Sequence, residues 1–217
     1  MQPTIIPMGE AALLAENITN EQAIALCQLL PAQVEVISVT PAATSALVRF
    51  DPLRVHANEV AQAIRRLLQA SVSLQINSRT IPIPTIFDGE DLPDAARALG
   101  TTEREVIARL CAQPWRVMMI GFAPGFPYLG PLPANLTLPR RATPRKAVPA
   151  GSVAIAAGMA GIYPSKLPGG WHLLGRTDAV LFDAARAQPT LLRPEDFAKF
   201  VEVDAQTGGT QNGANLT

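Results

Sequence analysis

Acidic residues are missing from a long stretch of this chain. The protein has 217 residues and 18 Asp plus Glu, yet none lies between Val106 and Thr177. The same stretch holds Arg109, Arg116, Arg140, Arg141, Arg145, Lys146, Lys166 and Arg176, although the whole chain has a formal net charge of zero. It therefore supplies hydrogen-bond donors and cations but no carboxylate for acid–base work. A local excess of one sign focuses field on partners of the other. An anionic ligand or an acidic partner surface is expected here.

Other shortages narrow the function further. Cysteine is limited to Cys27 and Cys111, and histidine to His56 and His172. Their wide spacing argues against a metal site in this chain. A disulfide is unnecessary at this size, so small buried thiols are expected. No apolar run approaches the roughly 18 residues of a membrane span. The start, MQPTIIPMGEAALL, lacks the positive residues and long apolar core of a signal peptide. A soluble cytoplasmic protein is expected. Zero net charge and a basic block broken by proline speak against nucleic acid. There is no GxxxxGK[ST] phosphate loop, so ATP is not bound by that device. Ser152, in AGSVA, lacks the GxSxG elbow of a hydrolase nucleophile.

What is present describes a folded α+β protein, with a hydrophobic fraction of 48%. Residues 1–80 read as a small α/β domain of the ferredoxin-like type. Thr4–Met8 and Ala11–Ala15 are short strands around a Gly9-Glu10 turn. Thr19 or Asn20 caps a helix to Leu30. Val34, Val36 and Val39 form one strand, and Ala46, Val48 and Phe50 the next. A second helix runs over Ala57–Ala70, and Val72, Leu74 and Ile76 alternate as a last strand. Arg79–Pro84 (RTIPIP) reads as an extended linker, because X-Pro pairs resist helix.

Residues 81–205 read as a β-barrel domain and 206–217 as a loose, polar, glycine-rich tail. Two short helices cover Asp91–Leu99 and Thr102–Cys111, the second with Thr102 and Glu105 spaced as a capping box. Trp115–Ile120, Val153–Ala157, His172–Leu174, Val180–Phe182 and Phe197–Val203 are the expected strands. Between Gly121 and Thr177 proline and glycine are dense, which alone would suggest low complexity. Phe122, Phe126, Tyr128, Tyr163 and Trp171 are interleaved there. Aromatics call for burial, and proline stiffens loops, so these loops are expected to be rigid and shaped.

The wording of this stretch is specific. GFAPGFPYLGPLP, PRRATPR, VPAGSVAIA, GIYP, PGGW and LGRT follow one another in order, with GEAALL before them and LFDAARAQPTLLRPED after. Together they resemble the family of bacterial 5-oxoprolinase B subunits, also known as allophanate hydrolase subunit 1 or the KipI-type family, of the carboxyltransferase domain, subdomain C and D type. The resemblance implies a cyclophilin-like barrel behind the ferredoxin-like domain. It also implies action with a homologous C subunit and a separate A subunit, opening 5-oxoproline to glutamate with ATP and Mg²⁺. Its alternatives are a KipI-type inhibitor of a sensor histidine kinase and a component of an allophanate- or urea-processing carboxyltransferase. The chain departs from the family at Leu110, where histidine is frequent. It departs again at Met159-Ala160 before GIYP, and at Leu167 before PGGW, where polar residues are usual.

Candidate site residues follow from these motifs. Arg140, Arg141 and Arg145 present guanidinium forks suited to carboxylate or phosphate on a small anionic substrate. The alternative for them is pairing with acids outside the block (Asp88, Glu90, Asp91, Asp94) or on another protein of the complex. Phe126, Tyr128, Tyr163 and Trp171 are expected to wall the pocket. Lys166 and His172 are the expected catalytic groups, one steadying developing negative charge and the other moving a proton. Because the block has no acid, catalytic carboxylates are expected from another chain.

Overall fold

The computed structural model describes residues 2–70 and 78–204; the expected strand at Val72, Leu74 and Ile76 and the tail at 206–217 lie outside the described residues. The chain divides into two compact units, Met1–Asn77 and Ser78–Thr217.

In the first unit, β1 (Thr4–Pro7), β2 (Ala12–Glu16), β3 (Ser38–Pro41) and β4 (Ser45–Arg49) form an antiparallel sheet in the order β1-β2-β4-β3. Helices α1 (Asn20–Leu29) and α2 (Ala57–Gln69) follow β2 and β4 in the chain. Alternation along the strands buries Leu13, Ala15, Ala46 and Val48 in one core with Leu26, Val60, Ile64 and Leu67 of the helices. Thr19 caps α1 through a reciprocal capping box with Gln22. The run β2-α1-β3-β4-α2, with β4 between β2 and β3, is the ferredoxin-like arrangement, and β1 adds a hairpin strand beside β2. Val34 and Val36 fall before β3 rather than in it. The Val34 N–H donates to the Leu30 carbonyl at 3.1 Å, which closes the turn after α1.

The second unit is a nearly closed barrel. Its strands are β5 (Thr80–Thr85), β6 (Trp115–Ile120), β7 (Pro127–Leu129), β9 (Ser152–Ala156), β10 (Met159–Ile162), β12 (His172–Arg176) and β13 (Phe197–Glu202). They lie in the order β12-β9-β10-β7-β6-β13-β5. Ile86, just past β5, and Arg176 exchange backbone hydrogen bonds of 2.9 and 2.8 Å, so the two ends of the sheet meet. Ile83, Val117, Leu129, Val153, Ile155, Ile162, Leu174 and Phe200 are among the buried residues of its core. Helices α3 (Leu92–Ala98) and α4 (Glu103–Cys111) contribute Ala95, Val106 and Leu110 to the same core. A separate two-stranded ribbon, β8 (Arg145–Val148) with β11 (Leu167–Gly169), completes the unit.

Three local expectations change. RTIPIP is not a linker: it supplies β5, parallel to β13. Pro82 and Pro84 sit on its exposed positions while Ile83 and Thr85 are buried, and a strand at the end of a sheet tolerates proline where no ladder partner needs its N–H. Val180–Phe182 forms a single bridge, Phe182 to Thr190, and not a strand. Pro189 directly precedes Thr190 and has no N–H to extend the pairing. At α4, Thr102 accepts from the Glu105 N–H at 3.2 Å, but the Glu105 carboxylate turns to Arg109 at 3.0 Å, which leaves half a capping box.

Candidate functional site

The ribbon β8–β11 brings PRRATPR against PGGW. Arg145 pairs with Gly169 in the ladder, and the Arg141 N–H donates to the Gly170 carbonyl at 2.8 Å. Gly169 is required there: a Cβ would come within 2.0 Å of the Tyr163 hydroxyl. Gly161, on β10, is constrained in the same way, since a Cβ would meet the Phe126 ring at 2.9 Å and Trp171 at 3.0 Å. The two glycines let aromatic rings lie directly on backbone.

The rings form one cluster. Phe126 is its centre, with centroids of Tyr128 and Tyr163 at 5.1 Å, Phe122 at 5.6 Å and Trp171 at 5.7 Å, mostly edge to face. Phe126, Tyr163 and Trp171 are buried, while Phe122 stands 61% exposed at the lip with a left-handed φ of +69°. A bulky residue in that region stores backbone strain, a feature that clusters at functional sites. These residues, with Arg140, Pro144, Pro168, Gly169 and Gly170, line a cleft of about 250 Å³.

Behind the ribbon sits Asp91, with a side chain only 4% exposed. Its carboxylate accepts from Arg141 Nη1, from Arg145 Nη2 at 2.8 Å and from the Leu173 N–H of β12 at 2.8 Å. Glu90 adds a second contact to Arg145 at 2.9 Å. Burial alone would raise the Asp91 carboxyl. The hydrogen bonds from Arg145 and Leu173 and the charges of both arginines outweigh it and hold Asp91 below the usual carboxylate range. The three arginines of the motif thus divide. Arg141 and Arg145 serve the scaffold, and the acid that neutralises them comes from the same compact unit, not from another chain. Arg140 faces the cleft, exposed, with no ion pair or hydrogen bond among the described residues.

The two phenols of the cleft remain neutral donors. Burial raises Tyr128, and raises Tyr163 with a further contribution from Tyr128; the cation of Arg140 opposes both shifts. The polar side-chain groups of the lining residues are therefore one guanidinium, two hydroxyls and the indole N–H of Trp171. Such a set suits a small flat molecule carrying anionic or carbonyl oxygen.

The expected catalytic pair lies elsewhere. Neither Lys166 nor His172 lines the cleft. Lys166 is exposed on the turn before β11. His172 Nε2 lies 3.0 Å from the Pro139 carbonyl, a contact that ties β12 to the approach of PRRATPR. The positions that depart from the family's usual polar residues are apolar here. Leu110 is fully buried in the barrel core, and its carbonyl accepts from Trp115 Nε1 at 2.7 Å. Met159 and Leu167 pack against the buried cluster of Phe126, Tyr163 and Trp171. Among the described residues, no three His, Cys, Asp or Glu side chains come together as a metal would require. Among the described residues, no helix is long and apolar enough to cross a membrane.

In the sequence, Asp91 reads as the start of a helix. The residue does precede α3, but its side chain makes no cap and turns instead to the arginines. No short-range signal reveals this, because Arg141 follows it by 50 positions. Pro144, Pro168 and the lip residue Phe122 are legible as motif members but not as cleft wall.

Comparison with known proteins agrees with this architecture. The model of the carboxyltransferase domain, subdomain C and D, matches residues 3–192. The 5-oxoprolinase B subunit of Haemophilus influenzae is 39% identical over 206 residues, covering 91% of this chain and 96% of its own. The protein of the same name in Escherichia coli O157:H7 is 37% identical, covering 89% and 93%. The crystal structure of TTHA0988 superposes with a TM-score of 0.78 at 35% identity over 89% of this chain. This chain spans only 40% of the length of that solved chain. With barrel, ribbon and motif order all in agreement, this chain belongs to the carboxyltransferase domain, subdomain C and D family, among relatives named as 5-oxoprolinase B subunits.

Proposed function

We propose that this chain is the B subunit of a cytoplasmic ATP-dependent 5-oxoprolinase, acting with a homologous C subunit and a separate A subunit to open 5-oxoproline to L-glutamate. The observation that carries this reading is the cleft, where aromatic walls surround a guanidinium, that of Arg140, left without a partner among the described residues. A flat five-membered lactam with one carboxylate matches both features. In the overall reaction ATP phosphorylates the lactam oxygen, water attacks the ring carbon, the C–N bond opens and phosphate leaves. This chain's share is to bind and orient the anion. It has no carboxylate lining the cleft to serve as base, so the other proteins of the complex supply the base and the groups that handle ATP and Mg²⁺.

Reconstitution tests the proposal. Purified chain mixed with the A and C subunits, ATP, Mg²⁺ and 5-oxoproline is expected to release glutamate, and the chain alone is expected to release none. Glutamate release by the isolated chain, or none from the complete mixture, would overturn it.

A further inference from the structure

Tyr163 is the most deeply buried of the residues with polar side chains that line the cleft. Its N–H donates to the Ser152 carbonyl at 3.0 Å, and its own carbonyl accepts from Gly151 at 2.7 Å. Its ring stands edge-on to Phe126 at an interplanar angle of 86°. The residue is 1% exposed, and its hydroxyl lies beside Gly169 in the cleft wall. Among the described residues that hydroxyl has no hydrogen-bond partner, and it is not one of the fully buried unpaired side-chain atoms, so it opens onto the cleft. A hydroxyl on an otherwise buried, rigidly packed side chain offers its donor to the cleft in a fixed direction, as the few placed polar groups of small-molecule sites do. The group is satisfied at little cost if a ligand in the cleft accepts from it. Tyr128 is less firmly fixed, because its side chain is only half-buried.

We infer that the Tyr163 hydroxyl donates a hydrogen bond to the ring carbonyl oxygen of a five-membered lactam whose carboxylate rests on Arg140. This deepens, and rests on, the 5-oxoprolinase reading above. It moves the polar recognition of the reacting carbonyl away from Lys166 and His172, which do not line the cleft. The ring carbonyl and the carboxylate of 5-oxoproline flank the ring nitrogen. Two donors, one neutral and one cationic, then fix the orientation of the ring between Phe126, Tyr128 and Trp171. Tyr163 is a binding and orienting group here, with no proton transfer assigned to it.

The test uses Tyr163→Phe in the assembled complex, because this change removes the hydroxyl and keeps the ring. Three ligands separate the contacts: 5-oxoproline as substrate, and L-proline (no ring carbonyl) and 2-pyrrolidinone (no carboxylate) as competitive inhibitors. The variant is expected to raise KM for 5-oxoproline about tenfold, the effect of losing one hydrogen bond from a buried site. Inhibition by 2-pyrrolidinone should weaken by a similar factor, inhibition by L-proline should stay as in wild type, and Tm should be unchanged. Arg140→Gln should show the mirror pattern, weakening L-proline and sparing 2-pyrrolidinone. A Tyr163→Phe complex with wild-type KM overturns the inference, as does an equal loss across all three ligands, which would mean general damage to the cleft. A wild-type complex that releases no glutamate overturns the functional reading first. Glutamate release by wild type with no effect of Tyr163→Phe overturns this inference alone.

Discussion

Two buried carboxylates in the second unit use the same chemistry for different ends. Asp196, 1% exposed, accepts from Arg79 through its side chain and its backbone N–H, and from the Arg193 N–H at 3.0 Å. It fastens the beginning of β5 to the beginning of β13, and no cleft residue takes part. Asp91 is buried to a similar degree and is also clamped by arginine, but its arginines share one motif with Arg140, on the ribbon that forms a wall of the cleft. A cluster of guanidiniums beside a pocket is therefore not by itself a count of ligand contacts. Two of the three in PRRATPR are paired with Asp91 and Glu90.

Truncation is the strongest way to break this comparison. Asp91→Ala removes the shared acceptor of Arg141, Arg145 and the Leu173 N–H, and Asp196→Ala that of the Arg79 side chain and of the Arg79 and Arg193 backbone N–H groups. Each is expected to cost about 1–3 kcal/mol in urea unfolding at neutral pH. If the two knots differ as described, the milder Asp91→Asn should also raise KM for 5-oxoproline in the assembled complex, and Asp196→Asn should leave KM unchanged in the fraction that remains folded. A raised KM in both variants would erase the distinction.

Acid sharpens the comparison at smaller amplitude. Burial works to raise both carboxyls, but their hydrogen bonds and neighbouring arginines hold both below the ordinary range. Each therefore contributes stability that is fully present above the ordinary carboxylate pKa and is lost as pH falls through the lowered folded value. Unfolding free energy measured downward from about pH 5 should fall less steeply in Asp91→Asn and in Asp196→Asn than in wild type. A slope unaltered by either substitution would contradict the pairing.

Much of this is legible in the sequence, for physical reasons. The helices α1, α2 and α4 carry apolar residues at helical spacing, β6 and β9 are largely apolar runs between turn residues, and β13 buries Ala198 and Phe200 at alternate positions. The strands β7, β8 and β11 are three or four residues long in a proline- and glycine-rich context, where pairing across the fold decides the conformation. Proline also hides β5, because the sequence does not show that the strand lies at a sheet end. In the site, Phe126, Tyr128, Tyr163, Trp171 and Arg140 do converge on one cleft. Residue chemistry alone picks out Lys166 and His172, but direction is set by the ribbon and β12. The pairing of Asp91 with Arg141 and Arg145 depends on contacts across 50 and 54 positions, and local pattern holds no trace of it.

The division of labour among the arginines is tested most directly by comparing Arg140→Gln with Arg141→Gln in the assembled complex, reading KM for 5-oxoproline and Tm side by side. Arg140→Gln should raise KM by about tenfold or more at constant Tm, as loss of a charge-assisted contact to ligand would, while Arg141→Gln should lower Tm with the smaller change in KM. A wild-type KM in Arg140→Gln, or the opposite assignment of the two effects, would contradict the account.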